Sequence, residues 1–266
     1  MPHEKTVDFL DIDGARLEYQ WIGPGPTKEA PTLVFLHEGL GCVGLWKGFP
    51  ERLAARTGLG ALVYSRLGYG RSDPVKKPLS PGYHLTEASA VLPRVLDEAG
   101  VTRAILIGHS DGGTIAIVHL GCGRGGRIDG VIVMATHVFN EDITIEGIRA
   151  AQVDYETTDI REKLARYHGE NVDWAFWSWN QVWLSPEFRD WNVENCLPGI
   201  TVPILVIQGE DDHYGSVAQV TAIARQVSGP AETLMVPDCG HSPHLEKPEE
   251  VLDAMANFIA RLKVDT

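Results

Sequence analysis

Short apolar runs alternate with longer amphipathic stretches along most of the chain. The apolar runs are rich in Val, Ile and Leu, a pattern typical of strands buried on both faces of a parallel sheet. Six runs are predicted to be strands: Thr32–His37, Ala61–Ser65, Arg103–Ile107, Gly130–Met134, Pro203–Gln208 and Thr233–Val236. Five stretches are predicted to be helices: Leu45–Arg56, Thr86–Ala99, Gly112–Leu120, Val217–Gln226 and Pro248–Leu262. This alternation predicts βαβ units with helices on both faces of the sheet.

Two further runs near the N-terminus are predicted to form a β-hairpin. Val7–Ile12 and Ala15–Ile22 flank Asp13-Gly14, a dipeptide that favours the tight turns of hairpins. Together with the six buried runs, this pair indicates an α/β protein. We expect a mostly parallel, doubly wound sheet of about eight strands.

One connection is much longer than a crossover between parallel strands requires. The segment 137–198 separates two predicted strands, and long structureless loops are uncommon in compact domains. Helices are therefore expected near Thr144–Thr157, Ile160–His168 and Asp173–Val182. We predict that residues 137–198 form a helical cap on a core made of residues 1–136 and 199–266.

Tryptophan is concentrated in this predicted cap. Five of the chain's seven tryptophans lie there: Trp174, Trp177, Trp179, Trp183 and Trp191. An insertion at the end of a parallel strand lies over the carboxyl edge of the sheet, where open α/β sheets bind ligands. The rings are therefore expected either to pack the cap onto the core or to line a pocket.

The composition is that of a globular protein, and its charge excludes some classes of partner. The chain has 266 residues, of which 44% are hydrophobic and 22% charged, and its formal net charge is −13. Nucleic acids and anionic membranes are excluded as partners, because phosphate binding needs clustered Lys and Arg. Four cysteines without a C-x-x-C spacing favour free thiols. Without a visible signal peptide or membrane span, we expect a cytoplasmic protein, monomeric or homodimeric.

The clearest chemical motif is Gly108-His109-Ser110-Asp111-Gly112, a G-x-S-x-G sequence between a predicted strand and a predicted helix. This is the context of a nucleophile elbow. A sharp strand-to-helix turn needs small residues beside the serine and exposes its hydroxyl at the edge of the sheet. It also directs the first helical N–H groups, here that of Asp111, toward an anion formed nearby. Ser110 is therefore the predicted nucleophile.

The predicted nucleophile needs a base to accept its proton, because a serine hydroxyl is otherwise weakly nucleophilic. Two histidines lie in the loop after the last predicted strand, His241 and His244. His241 is preferred because the preceding Gly240 permits a tight loop that turns the imidazole inward. His244 remains the alternative.

The base in turn needs an acid that fixes its tautomer and stabilises the imidazolium. Acidic residues follow the strand predicted at Pro203–Gln208, in the run Gly209-Glu210-Asp211-Asp212. Asp212 is preferred because it completes a G-x-x-D pattern, and Asp211 is the alternative. The residues Ser110, Asp212 and His241 then occur in the chain order of an α/β-hydrolase triad.

Together these motifs resemble the α/β-hydrolase fold family over essentially the whole chain. The resemblance includes the elbow, the G-x-x-D pattern and the Gly-His pair near the end of the chain. It also includes Gly68-Tyr69-Gly70-Arg71-Ser72, which is similar to the family's G-x-G-x-S loop. The segment 137–198 falls where the family has its cap. The resemblance implies a Ser-Asp-His hydrolase but names no substrate.

The resemblance further implies an oxyanion hole after the third strand, where family members usually have His-Gly. Here the run is His37-Glu38-Gly39-Leu40-Gly41, with a glutamate in place of that glycine. Gly39 and Asp111 are expected to donate their backbone N–H groups, with Leu40 instead of Gly39 if the loop is shifted. A carboxylate beside a developing oxyanion is repulsive. Glu38 is therefore expected to be paired, to point away, or to bind a polar or cationic part of the substrate.

The predicted activity is hydrolysis of a small carboxylic ester, thioester or lactone through an acyl-enzyme on Ser110. The tryptophans suggest a small-molecule substrate that is partly apolar or aromatic. Four residues are candidate substrate contacts: Glu38, Trp177, Trp183 and Tyr214. The alternatives are carbon–carbon bond hydrolysis of ring-cleavage diketones and a ligand-binding receptor that retains the triad.

No cofactor and no metal are predicted. No G-x-G-x-x-G sequence follows the first βα turn, which argues against a dinucleotide. The spacing between His241 and His244 differs from that of the zinc motif H-E-x-x-H.

Overall fold

The structure, a computed structural model, describes residues 8–262. Its strands are β1 (Asp8–Ile12), β2 (Ala15–Ile22), β3 (Thr32–Leu36), β4 (Ala61–Tyr64), β5 (Ala104–His109), β6 (Ile128–Met134), β7 (Ile204–Gly209) and β8 (Ala231–Val236). They form one eight-stranded sheet in the order β1-β2-β4-β3-β5-β6-β7-β8. β2 is antiparallel to β1 and β4, and the remaining pairs are parallel. The predicted mostly parallel sheet is confirmed.

The hairpin of β1 and β2 forms around the predicted turn. Asp13 and Gly14 have φ angles of 56° and 81°, so both turn residues are left-handed. Left-handed geometry at both positions matches the twist of the flanking strands. The Asp11 carboxylate also accepts a hydrogen bond of 2.8 Å from the Gly14 N–H. Val7, the first residue predicted for this hairpin, lies outside the described residues.

The central strands are buried along their whole length, as their apolar runs predict. Successive side chains of a strand point to opposite faces of the sheet. Val34 and Leu106 accordingly belong to the apolar cluster on one face, and Phe35 and Ile107 to the cluster on the other. Since helices cover both faces, each position along these strands requires an apolar side chain.

The helices occupy the intervals between strands. They are α1 (Phe49–Thr57), α2 (Tyr83–Thr86), α3 (Leu92–Glu98), α4 (Asp111–His119), α5 (Asp142–Thr157), α6 (Ile160–His168), α7 (Val172–Trp183), α8 (Val217–Gln226), α9 (Pro243–Glu246) and α10 (Pro248–Leu262). The bounds of α6, α8 and α10 are those predicted from periodicity. The helix predicted at Thr86–Ala99 begins earlier, at Tyr83, and a π-helical turn at Glu87–Val91 joins α2 to α3.

The single helix predicted at Leu45–Arg56 is interrupted. A 3-10 turn, Val43–Trp46, is separated from α1 by Lys47 and Gly48, whose φ angles are 54° and 87°. A helix cannot continue through two left-handed residues. Pro50 lies in the first turn of α1, where its fixed φ and missing N–H favour a helix start.

The long segment between β6 and β7 contains α5, α6 and α7. Its two ends lie side by side, because Phe139 and Asn192 form an isolated antiparallel bridge and the Val193 N–H donates to the Val138 carbonyl at 2.7 Å. A separate apolar cluster fills this segment and joins it to α2: Tyr83, Ile148, Tyr155, Phe176, Trp179, Val182, Trp183 and Phe188. The helical character of the insertion is thus confirmed, and the division of domains at residues 136 and 199 stays a prediction.

The structure also bears on two broader expectations. All four cysteines are free thiols, of which Cys42 and Cys239 are buried and Cys122 is exposed. Among the helices of residues 8–262, none is long and apolar enough to span a bilayer. The cytoplasmic location stays a prediction.

Candidate active site

Ser110 lies at a sharp turn between β5 and α4. Its φ and ψ are 50° and −115°, an uncommon conformation for a residue with a side chain. The Ser110 N–H donates to the Met134 carbonyl at 2.8 Å, and the Ser110 carbonyl accepts from Gly113 and Thr114 in the first turn of α4. The strained conformation is thus held by hydrogen bonds on both sides of the residue.

The two glycines of the motif are required by close backbone contacts. A Cβ atom added to Gly108 would lie 2.4 Å from the Gly113 nitrogen. A Cβ added to Gly112 would lie 1.9 Å from the Leu36 carbonyl oxygen. Both contacts are with backbone atoms, which cannot move aside as a flexible side chain can. The G-x-S-x-G sequence is therefore a steric requirement of this turn.

Replacing Gly112 by alanine is expected to lower the free energy of unfolding by about 3 kcal/mol or more, because α4 must move away from β3. Urea denaturation followed by circular dichroism measures this loss. Gly82→Ala is the matched control, since Gly82 has a φ of −92° and no atom within 4 Å of its added Cβ. A Gly112→Ala protein as stable as the control would contradict the steric argument.

Asp212 and His241, in the loops that follow β7 and β8, form a close pair at the carboxyl edge of the sheet. The His241 Nδ1 atom lies 2.9 and 3.0 Å from the two carboxylate oxygens of Asp212. Burial raises the pKa of Asp212, but the hydrogen bond and charge of His241 lower it further, so the net shift is downward. The Asp212 Oδ1 atom also accepts from the Tyr214 N–H at 2.8 Å. Asp212 is thus ionised and fixed in orientation.

The two alternatives to this pair are placed elsewhere. Asp211 is exposed to solvent, and no contact of its side chain with His241 is found. His244 is buried against Trp46 and Phe49, with ring centroids 5.0 and 5.5 Å away. Burial and the charge of His109 lower the pKa of His244 well below its usual range. The geometry therefore favours Asp212 and His241 over Asp211 and His244.

A glutamate outside the predicted set shapes the loop that carries His241. The Glu246 carboxylate accepts from the Gly240 N–H at 2.8 Å and from the Ser242 N–H at 3.0 Å. These bonds hold the backbone on both sides of His241. Glu246 lies in α9, a few residues after His241 in the chain. This proximity in sequence is the signal that could have identified Glu246.

A cavity of about 190 Å³ opens above Ser110 and His241. Its other wall residues come from the oxyanion loop, the end of β5, the insertion and the loops after β7 and β8: Glu38, Gly39, Leu40, His109, His137, Thr144, Ile148, Trp179, Trp183, Tyr214 and Ser242. Three of the predicted contact residues, Glu38, Trp183 and Tyr214, are among them. A larger surface groove of about 430 Å³, near Lys47 and Tyr167, includes no member of the predicted triad.

The prediction that Trp177 contacts the substrate is not supported by its position. It does not line the cavity but packs edge-on against Tyr155 and Phe176, at centroid distances of 5.7 and 5.1 Å. Trp179, two residues further along α7, lines the cavity instead. Residues two positions apart on a helix face nearly opposite directions. The tryptophans therefore divide between packing and lining the cavity.

The loop after β3 is held by a buried histidine and arginine. The His37 Nδ1–H donates to the Glu38 carbonyl at 2.7 Å, and the His37 Nε2 accepts from the Arg66 N–H at 3.0 Å. Burial and the charge of Arg66 lower the pKa of His37 to about 3, so the ring is neutral. The Arg66 guanidinium also donates to the Glu38 carbonyl at 3.0 Å. The loop is thus held in place by buried hydrogen bonds.

Both candidate oxyanion donors of this loop lie at the cavity wall. A Cβ on Gly39 would lie 2.4 Å from the Trp179 ring, so only glycine allows the indole to approach so closely. The Leu40 carbonyl accepts from the His168 Nε2 at 2.9 Å, which ties the loop to the insertion. The choice between the Gly39 and Leu40 N–H groups stays a prediction.

The Asp111 side chain lies in a buried polar network. Its Oδ2 accepts from the Tyr83 hydroxyl at 2.8 Å and lies 3.4 Å from the Arg66 guanidinium, while Oδ1 lies 3.4 Å from the His84 Nε2. Burial raises the pKa of Asp111, but His84 and Arg66 lower it further, and the net shift is strongly downward. Asp111 is therefore an ionised anchor behind the elbow, and only its N–H is left for the site.

This network reaches the cavity through a tryptophan. The Trp183 Nε1–H donates to the Tyr83 hydroxyl at 3.0 Å, and that hydroxyl donates to Asp111. Arg66, Tyr83 and His84 were not predicted, because the three residues are far apart in sequence from Asp111. Only the folded chain shows that they converge.

Family comparison agrees with the geometry. A sequence profile of the alpha/beta hydrolase family matches residues 33–254. The chain belongs to this family. A 2-hydroxy-6-oxononadienedioate/2-hydroxy-6-oxononatrienedioate hydrolase of Burkholderia vietnamiensis is 26% identical, and the match covers 97% of this chain and 96% of that protein.

Two further comparisons are less specific. The dihydrolipoyllysine-residue acetyltransferase component of the acetoin cleaving system of Cupriavidus necator is 29% identical over 60% of this chain, but the match spans only 40% of that protein. The crystal structure of the enol-lactonase from Burkholderia xenovorans LB400 gives a TM-score of 0.71 at 21% identity. It covers 95% of this chain and 100% of the enol-lactonase chain, and at this identity it shows the shared fold alone.

One feature of this α/β hydrolase is an ion pair between Glu38 and His109. The His109 Nδ1 lies 3.5 Å from the Glu38 Oε2, and the His109 Nε2 donates to the His241 carbonyl at 2.7 Å. Because both partners are acceptors, the ring interacts favourably with both only as an imidazolium. Burial lowers the pKa of His109, but Glu38 raises it further, so its net shift is upward. Of the three expectations for Glu38, pairing is the one that the structure shows.

No metal centre is apparent in the part of the chain that the structure describes. Among residues 8–262, no group of three or more His, Cys, Asp or Glu side chains is arranged to hold an ion.

Proposed function

We propose that this α/β hydrolase is a serine hydrolase of small carboxylic esters, thioesters or lactones. One observation carries the proposal: Ser110, at a strained strand-to-helix turn, shares a cavity with His241, whose Nδ1 is held by Asp212. With Nδ1 bonded to the carboxylate, Nε2 is the nitrogen left to accept the serine proton. A serine and a carboxylate-oriented histidine that line the same cavity support nucleophilic acyl transfer.

The proposed reaction has two halves. His241 removes the hydroxyl proton as the Ser110 Oγ attacks the carbonyl carbon. The oxyanion that forms accepts hydrogen bonds from the backbone N–H groups of Gly39 and Asp111. The His241 imidazolium then protonates the leaving group, which leaves an acyl-enzyme. In the second half His241 activates a water that releases the acid, and Asp212 stabilises the imidazolium throughout.

The cavity wall favours an uncharged or cationic substrate over an anionic one. Among the described residues, neither Lys nor Arg lines the cavity. The His109 imidazolium in its wall is only 2% exposed and is paired with Glu38, whose carboxylate is the more accessible charge. Burial and the charge of His241 lower the pKa of His137 to about 4, so this wall residue adds no positive charge. The volume of about 190 Å³ favours a compact substrate with an apolar part against Trp179 and Trp183.

Carbon–carbon bond hydrolysis is the second candidate. It is favoured by the match to the Burkholderia vietnamiensis hydrolase, which extends over 97% of this chain at 26% identity. The name of that relative's substrate is that of a dicarboxylate. A dianion would meet the Glu38 carboxylate in a cavity without Lys or Arg, whose His109 imidazolium is buried and already paired with Glu38, so we rank this activity below ester hydrolysis.

A substrate panel tests the proposal. Purified protein is assayed with small neutral methyl esters, thioesters, lactones and a vinylogous diketone, and kcat/KM is measured for each. We expect at least one acyl substrate to exceed the diketone by about tenfold or more, which corresponds to about 1.4 kcal/mol of transition-state stabilisation. A preference for the diketone would support carbon–carbon hydrolysis instead. Ligand binding without turnover of any member would indicate a receptor.

A further inference from the structure

The most accessible charged group in the wall of the cavity is one carboxylate. Glu38 is the one Asp or Glu among the described residues that line it, and its side chain is 27% exposed. Its ion-pair partner His109 is only 2% exposed, so the carboxylate is the more accessible member of the pair. A ligand in the cavity is therefore more exposed to the negative charge of Glu38 than to the positive charge of His109.

Glu38 keeps both its charge and spare hydrogen-bonding capacity. Burial raises its pKa, but the hydrogen bond and charge of His109 lower it well below its usual range, so the group is ionised at neutral pH. A carboxylate can accept about four hydrogen bonds. His109 approaches Oε2 at 3.5 Å, and the backbone N–H of Glu38 itself also stabilises the carboxylate. The remaining acceptor positions suit a donor on the substrate.

The aromatic wall around this carboxylate has matching chemistry. Trp179, Trp183 and Tyr214 line the same cavity, and the faces of aromatic rings attract cations. The Trp183 Nε1–H is already bonded to the Tyr83 hydroxyl, so Trp183 contributes its ring and not its donor. A carboxylate with aromatic neighbours is a combination that binds ammonium groups.

We propose that the substrate of this site carries an ammonium group that Glu38 binds. This inference rests on the proposed acyl hydrolysis and specifies its substrate class. Glu38 directly precedes Gly39, the proposed oxyanion donor, so the ammonium group must lie close to the scissile carbonyl. The class that fits is a small ester, thioester or lactone of an amino acid, with its amino group one or two carbons from the carbonyl.

Three methyl esters of equal size test this specificity: alanine, isobutyrate and lactate, which differ only in an ammonium, a methyl and a hydroxyl group. At pH 6.5 the amine is protonated, because α-amino groups have a pKa of about 7.7–8.0. We expect kcat/KM for the alanine ester to exceed that for isobutyrate by about tenfold or more. Glu38→Gln should lower this ratio about tenfold, and Glu38→Asp should retain part of it.

The control is Glu98→Gln, which removes an exposed acid of α3 outside the cavity and should leave the ratio unchanged. An equal ratio in the wild type and Glu38→Gln would overturn the inference, as would a preference for lactate, which indicates a hydroxyl donor. Hydrolysis of isobutyrate without any preference for alanine would refute the ammonium group while leaving acyl hydrolysis intact.

A binding measurement separates the inference from turnover. Calorimetry with the Ser110→Ala protein compares alaninamide with isobutyramide, which differ in the ammonium group alone. We expect alaninamide to bind about tenfold more tightly, and this difference to disappear in Ser110→Ala/Glu38→Gln. Equal binding of the two amides to Ser110→Ala would overturn the inference whether or not any ester is hydrolysed.

Discussion

Replacing Ser110 by alanine is expected to lower kcat by a factor of about 10⁴–10⁶ and to abolish covalent labelling by a fluorophosphonate. The reason is that the hydroxyl is the attacking atom, and the rest of the site supplies only binding and oxyanion stabilisation. The measurements are steady-state hydrolysis of the best ester and mass spectrometry of the labelled protein. The loss should appear in kcat with little change in KM, because the removed group makes its main contribution in the transition state.

The matched control for this substitution is a second hydroxyl in the same cavity. Ser242 lines the cavity next to His241, in the loop before α9 and not at the strand-to-helix turn that carries Ser110. Ser242→Ala is expected to be labelled as the wild type is. Labelling that persists in Ser110→Ala and is lost in Ser242→Ala would transfer the nucleophile to Ser242. A circular dichroism spectrum shared by both variants would show that neither result reflects unfolding.

The sheet was predictable because nearly every position of its central strands carries the same apolar pattern. β3 and β5 are buried on both faces, so each of their positions carries the apolar pattern. Helices with one apolar face, such as α8 and α10, likewise begin and end where their periodicity does. The break at Lys47 was missed because lysine has no strong preference for left-handed geometry. Such a break depends on tertiary contacts and not on the local sequence.

The elbow was predictable for a different reason: its glycines are fixed by local sterics. Gly108 and Gly112 lie so close to backbone atoms of adjoining elements that the turn requires glycine at both positions. No such local requirement identifies the polar groups behind the elbow. Asp111 is paired with Arg66 from the loop after β4 and is also contacted by Tyr83 and His84 from α2, and no spacing in the sequence connects them.

The tryptophans show where composition stops being informative. Their clustering predicts an aromatic insertion, but clustering alone does not show which rings face the cavity. Trp179 and Trp183 belong to the buried face of α7, at helical spacing from Val172 and Phe176, whereas Trp177 lies outside that face. Glu38 poses the same difficulty, because its partner His109 is recognisable only when β5 and the loop after β3 are seen side by side.

Asp212→Asn is expected to lower kcat by about 10⁴ while leaving the fold intact. The structure gives a specific reason for the size of this effect. The Tyr214 N–H donates to Asp212 Oδ1 and would hold the amide oxygen of an asparagine in the same place. The amide NH₂ would then face the His241 Nδ1, which lies 3.0 Å from Oδ2. It would donate to that nitrogen and favour the Nε2–H tautomer, which cannot accept the serine proton.

Asp211→Asn provides the matched control, because it makes the same chemical change one residue away on an exposed side chain. We expect its kcat to stay within about twofold of the wild type, since exposed charges contribute little. A larger loss in Asp211→Asn than in Asp212→Asn would assign the acid of the triad to Asp211. Equal and small losses in both would mean that His241 needs no carboxylate, and the proposed mechanism would have to be abandoned. The distinction depends on kcat alone, because neither substitution alters a residue that lines the cavity.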